Sequence, residues 1–172
     1  MTAERKTHGT WREGILAGFI GATGVALWFL MVDLVAAELF FTPTRLGMAF
    51  GRVFRVPLMV ESGTIAFLGY TVLHYAVFAA IGTLAAAVVH ASGRSPSLLA
   101  GAFLAFVVSE ALIYGFIALL HGTDLLEHLT WVLLAIGNLI GAVLIGWKLW
   151  RDHPALKAGF DTALGERQGS YE

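Results

Sequence analysis

Three ionisable side chains stand inside long apolar runs of this sequence: Asp33, His74 and Glu110. A charged carboxylate at the centre of a membrane-spanning helix costs about 2.5–3.5 kcal/mol. Such a group must pair, stay protonated or line a wet cavity. Convergence of the three in one layer would meet that demand and would concentrate acid, base and ligand atoms. Tyr70 lies one helical turn from His74, Tyr114 bears the same relation to Glu110, and Asn138 adds a polar group in another apolar run. These six residues form the candidate buried polar cluster.

Four roles can be weighed for such a cluster. The first is metal binding. Carboxylates and imidazole from several helices of a four-helix bundle are the ligand type of di-iron and di-manganese sites. The Glu-x-x-His motif of those sites is absent, so the match is partial. Asp33, His74 and Glu110 could still supply a His-plus-carboxylate site, with His121, His128 and Glu38 nearer the outer mouth. The second is handling of protons, a quinone or another small ligand, because a carboxylate beside an imidazole in low dielectric can relay protons. The third is haem, which is not expected, since bis-His ligation needs two deep histidines and only His74 is deep. The fourth is structural: a buried carboxylate–imidazole pair can fix helix register.

Other chemistries are excluded. The absence of Cys removes disulfides, thiolate metal sites and covalent haem attachment. No P-loop or His-Glu-x-x-His motif occurs. Gly24 and its neighbours follow no strand, so they read as packing glycines, and no nucleotide is expected. With 11 basic and 12 acidic residues there is no basic domain for nucleic acid. Asp124 and Glu127 read as helix caps, and His8, His90 and His153 as solvated residues near the inner surface.

The elements that must position these groups follow from composition. The chain is 58% hydrophobic and 13% charged over 172 residues, against about 25% charged in soluble domains. Charge-poor stretches predict four spans, near 11–41, 62–90, 97–121 and 125–150. Each reaches the roughly 20 residues that a hydrocarbon core about 30 Å thick requires. Backbone groups in lipid pair within their own segment, so the spans are helices. The first is longer than the 7–15 residues of a signal-peptide core and reads as a retained span. Thr10-Trp-Arg-Glu13 predicts a capping box, and Thr42-Pro43 an N-cap followed by Pro at the first helical position. Residues 43–55 predict a short interfacial helix, with Leu46, Ala49, Phe50 and Val53 on one face. Gly14-x3-Gly18-x3-Ala22 and Gly137-x3-Gly141 allow close helix contact, within one bundle or across a dimer.

Arg5, Lys6, Arg12, Arg94, Lys148, Arg151, Lys157 and Arg167 fall on one side of these spans, and Arg45, Arg52 and Arg55 on the other. The excess places both termini in the cytoplasm. By helical rise, His74 and Glu110 then lie about 15 Å from the outer ends of their spans, Asp33 about 10–12 Å and Asn138 about 20 Å. Trp11, Trp147 and Trp150 suit an inner aromatic belt; Trp28 and Trp131 read as packing residues.

The stretches Gly18-Phe-Ile-Gly-Ala-Thr-Gly-Val-Ala-Leu-Trp-Phe-Leu-Met-Val-Asp33, Phe41-Thr-Pro-Thr-Arg-Leu-Gly47 and Gly69-Tyr-Thr-Val-Leu-His-Tyr75 resemble uncharacterised small bacterial four-helix integral membrane proteins. The resemblance implies that Asp33 and His74 belong to a recurring pattern. It brings no activity, cofactor or catalytic residue.

The expected architecture is all-α: a four-helix integral membrane bundle over 1–152 with a short interfacial helix between spans one and two, and a polar cytoplasmic tail over 153–172. The expected role is an accessory or structural subunit of a membrane assembly, partnered by lipid and by membrane proteins or further copies of itself. Its buried Asp/His/Glu layer would handle protons or a small ligand. The alternative is a membrane-embedded metal-dependent oxidoreductase with Asp33, His74 and Glu110 as ligands.

Overall fold

A computed structural model describes residues 9–92 and 131–153. Five helices make up nearly all of this: α1 (Thr10–Val35), α2 (Phe41–Val53), α3 (Pro57–Glu61), α4 (Gly63–Ser92) and α5 (Trp131–Asp152). Three of them, α1, α4 and α5, are long and apolar enough to cross a membrane. At 1.5 Å per residue they extend about 39, 45 and 33 Å, each longer than a hydrocarbon core. Their outward faces carry large apolar side chains, including Leu27 and Met31 on α1, Leu68 and Val72 on α4, and Leu139 and Val143 on α5. Such a surface suits lipid and not water.

The central element is α1, which packs on α4 along one face and on α5 along another. Glycines make both contacts possible. A Cβ on Gly18 would strike the Phe78 carbonyl, and one on Gly14 would strike the Thr83 backbone. On α4, Gly82 approaches Gly14 and Gly18 equally closely. Gly21 and Gly24 face Ile145 and Leu144 of α5, while Gly137 and Gly141 receive Phe29 and Val25. The small-residue motifs are thus occupied within this chain. The same pairings run both α4 and α5 antiparallel to α1. At one end Ala17, Ala86, Ile145 and Leu149 form a buried cluster. Further along, Val25 and Phe29 pack with Trp28, Leu46, Phe78 and Leu133. Trp28 also donates from Nε1 to the Leu133 carbonyl at 2.9 Å, so it is a packing residue that ties α1 to α5.

Helix ends depart from the sequence expectations in two places. Thr10 is not an N-cap. Gly9 holds that position, with its carbonyl accepting from Arg12 and Glu13, and the Glu13 side chain is used elsewhere. Thr42 is not an N-cap either: α2 begins at Phe41, two residues before the expected Pro43, with Phe40 as N-cap, and Thr42 is instead bound to Asp33. The reason in the second case is the turn that precedes it. The Glu38 N–H donates to the Asp33 carbonyl at 2.9 Å and the Ala37 N–H to that of Leu34 at 3.1 Å, the bond pair of a Schellman motif. Ala37 takes the left-handed position at φ 57°, where glycine is usual, and Arg55 does the same at φ 54° beyond α2. A left-handed L-residue costs roughly 1–2 kcal/mol. Ala37→Gly is therefore expected to stabilise the fold by about 0.5–1 kcal/mol after the greater freedom of unfolded glycine is subtracted. Unfolding in mixed micelles measures this directly.

Candidate functional site

Asp33, in the last turn of α1, is 3% exposed. Its Oδ2 accepts from the Thr42 backbone N–H at 2.9 Å and its Oδ1 from the Thr42 hydroxyl at 2.5 Å. One carboxyl group thus serves the first turn of α2 from outside that helix, where free N–H groups favour an acidic partner. Below it, His74 of α4 places Nε2 3.0 Å from the carbonyl of Ala22. A carbonyl only accepts, so Nε2 carries the proton and Nδ1 is left as the acceptor nitrogen. Each group has its own partner, and no ion pair joins Asp33 to His74.

The two nevertheless line one partly open cavity of about 230 Å³ between α1, α2 and α4. Its polar lining includes Thr23, Asp33 and Thr42 with Tyr70, His74 and Tyr75; Leu30, Phe29 and Phe67 are among its apolar walls. The polar groups divide by how they are satisfied. Thr23 donates to the Phe19 carbonyl at 2.8 Å, so its contact with the Tyr75 hydroxyl at 3.1 Å has Tyr75 as donor. Thr71 donates to the Phe67 carbonyl at 2.8 Å. The Tyr70 hydroxyl has no hydrogen bond to a described residue, while its ring stacks on His74 with centroids 5.7 Å apart. The cavity therefore offers one unengaged O–H donor and one imidazole acceptor between apolar walls.

Of the sequence-nominated residues, Asp33, Tyr70 and His74 come together here. Asn138 sits half-buried on α5 and does not line the cavity. Glu38 is exposed in the turn after α1. Glu110, Tyr114, His121 and His128 lie outside the described residues, as do the caps at Asp124 and Glu127.

A second cluster occupies the opposite end of the bundle, and sequence reasoning missed it. Glu13 opens α1, His90 closes α4 and His153 follows α5. His153 Nδ1 lies 3.1 Å from Glu13 Oε1, and His90 Nε2 lies 3.9 Å from Glu13 Oε2. His90 is exposed, as expected, and His8 lies outside the described residues, but His153 is half-buried against Glu13, because two antiparallel packings on α1 bring the ends of three helices to one place. The signal available in the sequence was positional: each residue stands at the same end of its own apolar run.

With this geometry in hand, comparisons with known families and proteins carry no assignment. No protein family, curated protein or solved structure matches this chain. The functional reading rests on the two clusters alone.

Proposed function

We propose that this chain is a four-span, non-enzymatic membrane protein, an accessory subunit of a membrane assembly, whose cavity receives a small apolar ring bearing a carbonyl, a molecule of the quinone class. The observation that carries the reading is the unengaged Tyr70 hydroxyl among apolar walls. Tyr70 is half-buried, and a ligand carbonyl accepting from its hydroxyl would contribute about 0.5–1.5 kcal/mol net. An engineered apolar cavity of about 150 Å³ takes benzene, so 230 Å³ has room for one substituted ring. His74 Nδ1 is available for a second polar contact. Asp33 closes the α2 side through Thr42 and serves as architecture, not as a proton donor to His74.

Four spans are supported by helix direction. Both α4 and α5 run antiparallel to α1, so Ser92 ends near the start of α1 and Trp131 begins near its end. A fourth span over the apolar run at 97–121 would join these two ends. Glu13 and His153 meet, so both described ends lie at one end of the bundle, and the excess of eight Lys and Arg over three in the sequence supports a cytoplasmic placement of that end. Arg45, Arg52 and Arg55 then accompany α2 and α3 at the outer headgroups.

The test is binding of ubiquinone-1 to detergent-purified protein, read as thermal stabilisation. At a hundredfold excess over Kd, wild-type protein should gain about 2.7 kcal/mol. Tyr70→Phe removes one hydroxyl and should weaken binding about tenfold without unfolding the chain. Equal affinity in both proteins would rule out Tyr70 as the recognition group.

A further inference from the structure

We propose that Glu13, His90 and His153 bind one divalent transition-metal ion of the Zn2+ type at the cytoplasmic end of the bundle. This site is separate from the cavity and involves none of its residues.

Donor chemistry and spacing support the assignment. One ligand atom from each of the three residues lies within 4.8 Å of the others. A tetrahedral ion with bonds of about 2.0–2.2 Å holds its donors about 3.4 Å apart. The cluster therefore closes by about 1 Å on an ion, which rotation of side chains at helix ends provides. Two imidazoles and one carboxylate are the protein ligands of a common zinc arrangement that leaves a coordination position open.

The supporting contacts are those of a metal-binding histidine pair. His90 Nδ1 lies 3.1 Å from the Ala86 carbonyl, and His153 Nδ1 lies 3.0 Å from that of Leu149. A backbone carbonyl on Nδ1 fixes the tautomer and leaves the Nε2 lone pair for a ligand; on His90 that Nε2 faces Glu13, whereas His153 faces Glu13 with Nδ1 and its ring must turn over to bind through Nε2. The rings stand edge to face with centroids 4.7 Å apart.

Glu13 provides an independent observation. Its side chain is 9% exposed, and Oε1 is fully buried without a hydrogen-bond partner. The His153 nitrogen is close at 3.1 Å, yet its N–H is aimed at Leu149. A carboxylate that faces two imidazoles and whose buried Oε1 accepts no hydrogen bond from a described residue is suited to a cation. The nearby Lys148 does not fill this role, because it pairs with Asp152 one turn away; Arg151 lies over the Trp147 ring.

Untagged protein, stripped with EDTA and titrated with Zn2+ by calorimetry, tests the assignment. We expect one saturable Zn2+ per chain, and Co2+ loading should give the visible bands of a low-coordinate nitrogen–oxygen site. His90→Ala and Glu13→Gln should each weaken Zn2+ binding by at least about 100-fold, beyond the 10–100-fold typical of losing an outer-shell partner. His90 has a side chain 38% exposed, so its variant keeps the test interpretable if Glu13→Gln fails to fold. No saturable uptake by wild-type protein, or uptake unchanged in His90→Ala, would overturn the proposal.

Discussion

Gly18→Val should abolish the folded bundle or cost it about 3 kcal/mol or more, the upper end of overpacking penalties. The Cβ position at Gly18 collides with the Phe78 carbonyl and with the Cα of Ala79, which are backbone and cannot swing away. Relief requires α1 and α4 to separate. Separation would also loosen the His74 bond to Ala22 and the cluster of Ala17, Ala86, Ile145 and Leu149. In lipid there is little hydrophobic force to bring the helices back, because association depends on close packing. Gly146 has no described residue within 4 Å of its Cβ position, so Gly146→Ala should be neutral or slightly stabilising. Denaturation in mixed micelles and elution profile in mild detergent would compare the two. Similar losses for both variants would mean that these glycines act through helix propensity and not through contact.

Asp33→Ala should destabilise the protein by about 2–4 kcal/mol, since it strands the Thr42 N–H and hydroxyl in a buried position. Asp33→Asn retains one acceptor oxygen and turns an amide donor toward the other proton, so it should cost about half as much. Thr42→Val removes only the hydroxyl bond, and Thr42→Ser should restore it. The order Asp33→Ala, then Asp33→Asn, then Thr42→Ser in falling cost is the expected result in denaturation. An Asp33→Asn protein more stable than the parent would contradict the architectural role and would mean that the carboxyl is kept for chemistry at a stability cost.

The membrane-spanning helices were legible because a water-facing helix seldom goes about 20 residues without charge. The extent of α4 follows closely from the predicted run at 62–90, whereas α1 ends at Val35, six residues short of the predicted run at 11–41, because the turn before α2 is apolar too. A short amphipathic helix was also readable from the face shared by Leu46, Phe50 and Val53. What the sequence could not show is which partner each polar group takes. Asp33 is buried and His74 half-buried, and both line one cavity, but Asp33 lies in the last turn of α1 and not about 10–12 Å from its end. Yet Thr42 and the Ala22 carbonyl satisfy them separately, and no periodicity encodes a choice made across helices. Thr42 read as a cap because Thr-Pro is a common helix start. The Schellman turn at Ala37, in a residue that does not advertise a left-handed angle, moved the start of α2 by two positions. Glu13, His90 and His153 were invisible as a group because their meeting depends on both α4 and α5 running antiparallel to α1.

The cavity between α1, α2 and α4 carries the proposed function, and filling it is the decisive experiment. Ala26 lines the cavity and is exposed, so a larger side chain has room there. Equilibrium binding of ubiquinone-1 should give one site per chain in wild-type protein. In a folded Ala26→Phe variant, whose benzyl group takes the place of the ligand ring, that site should be lost. Equal binding by the two proteins, or none by wild-type protein, would contradict the proposed function.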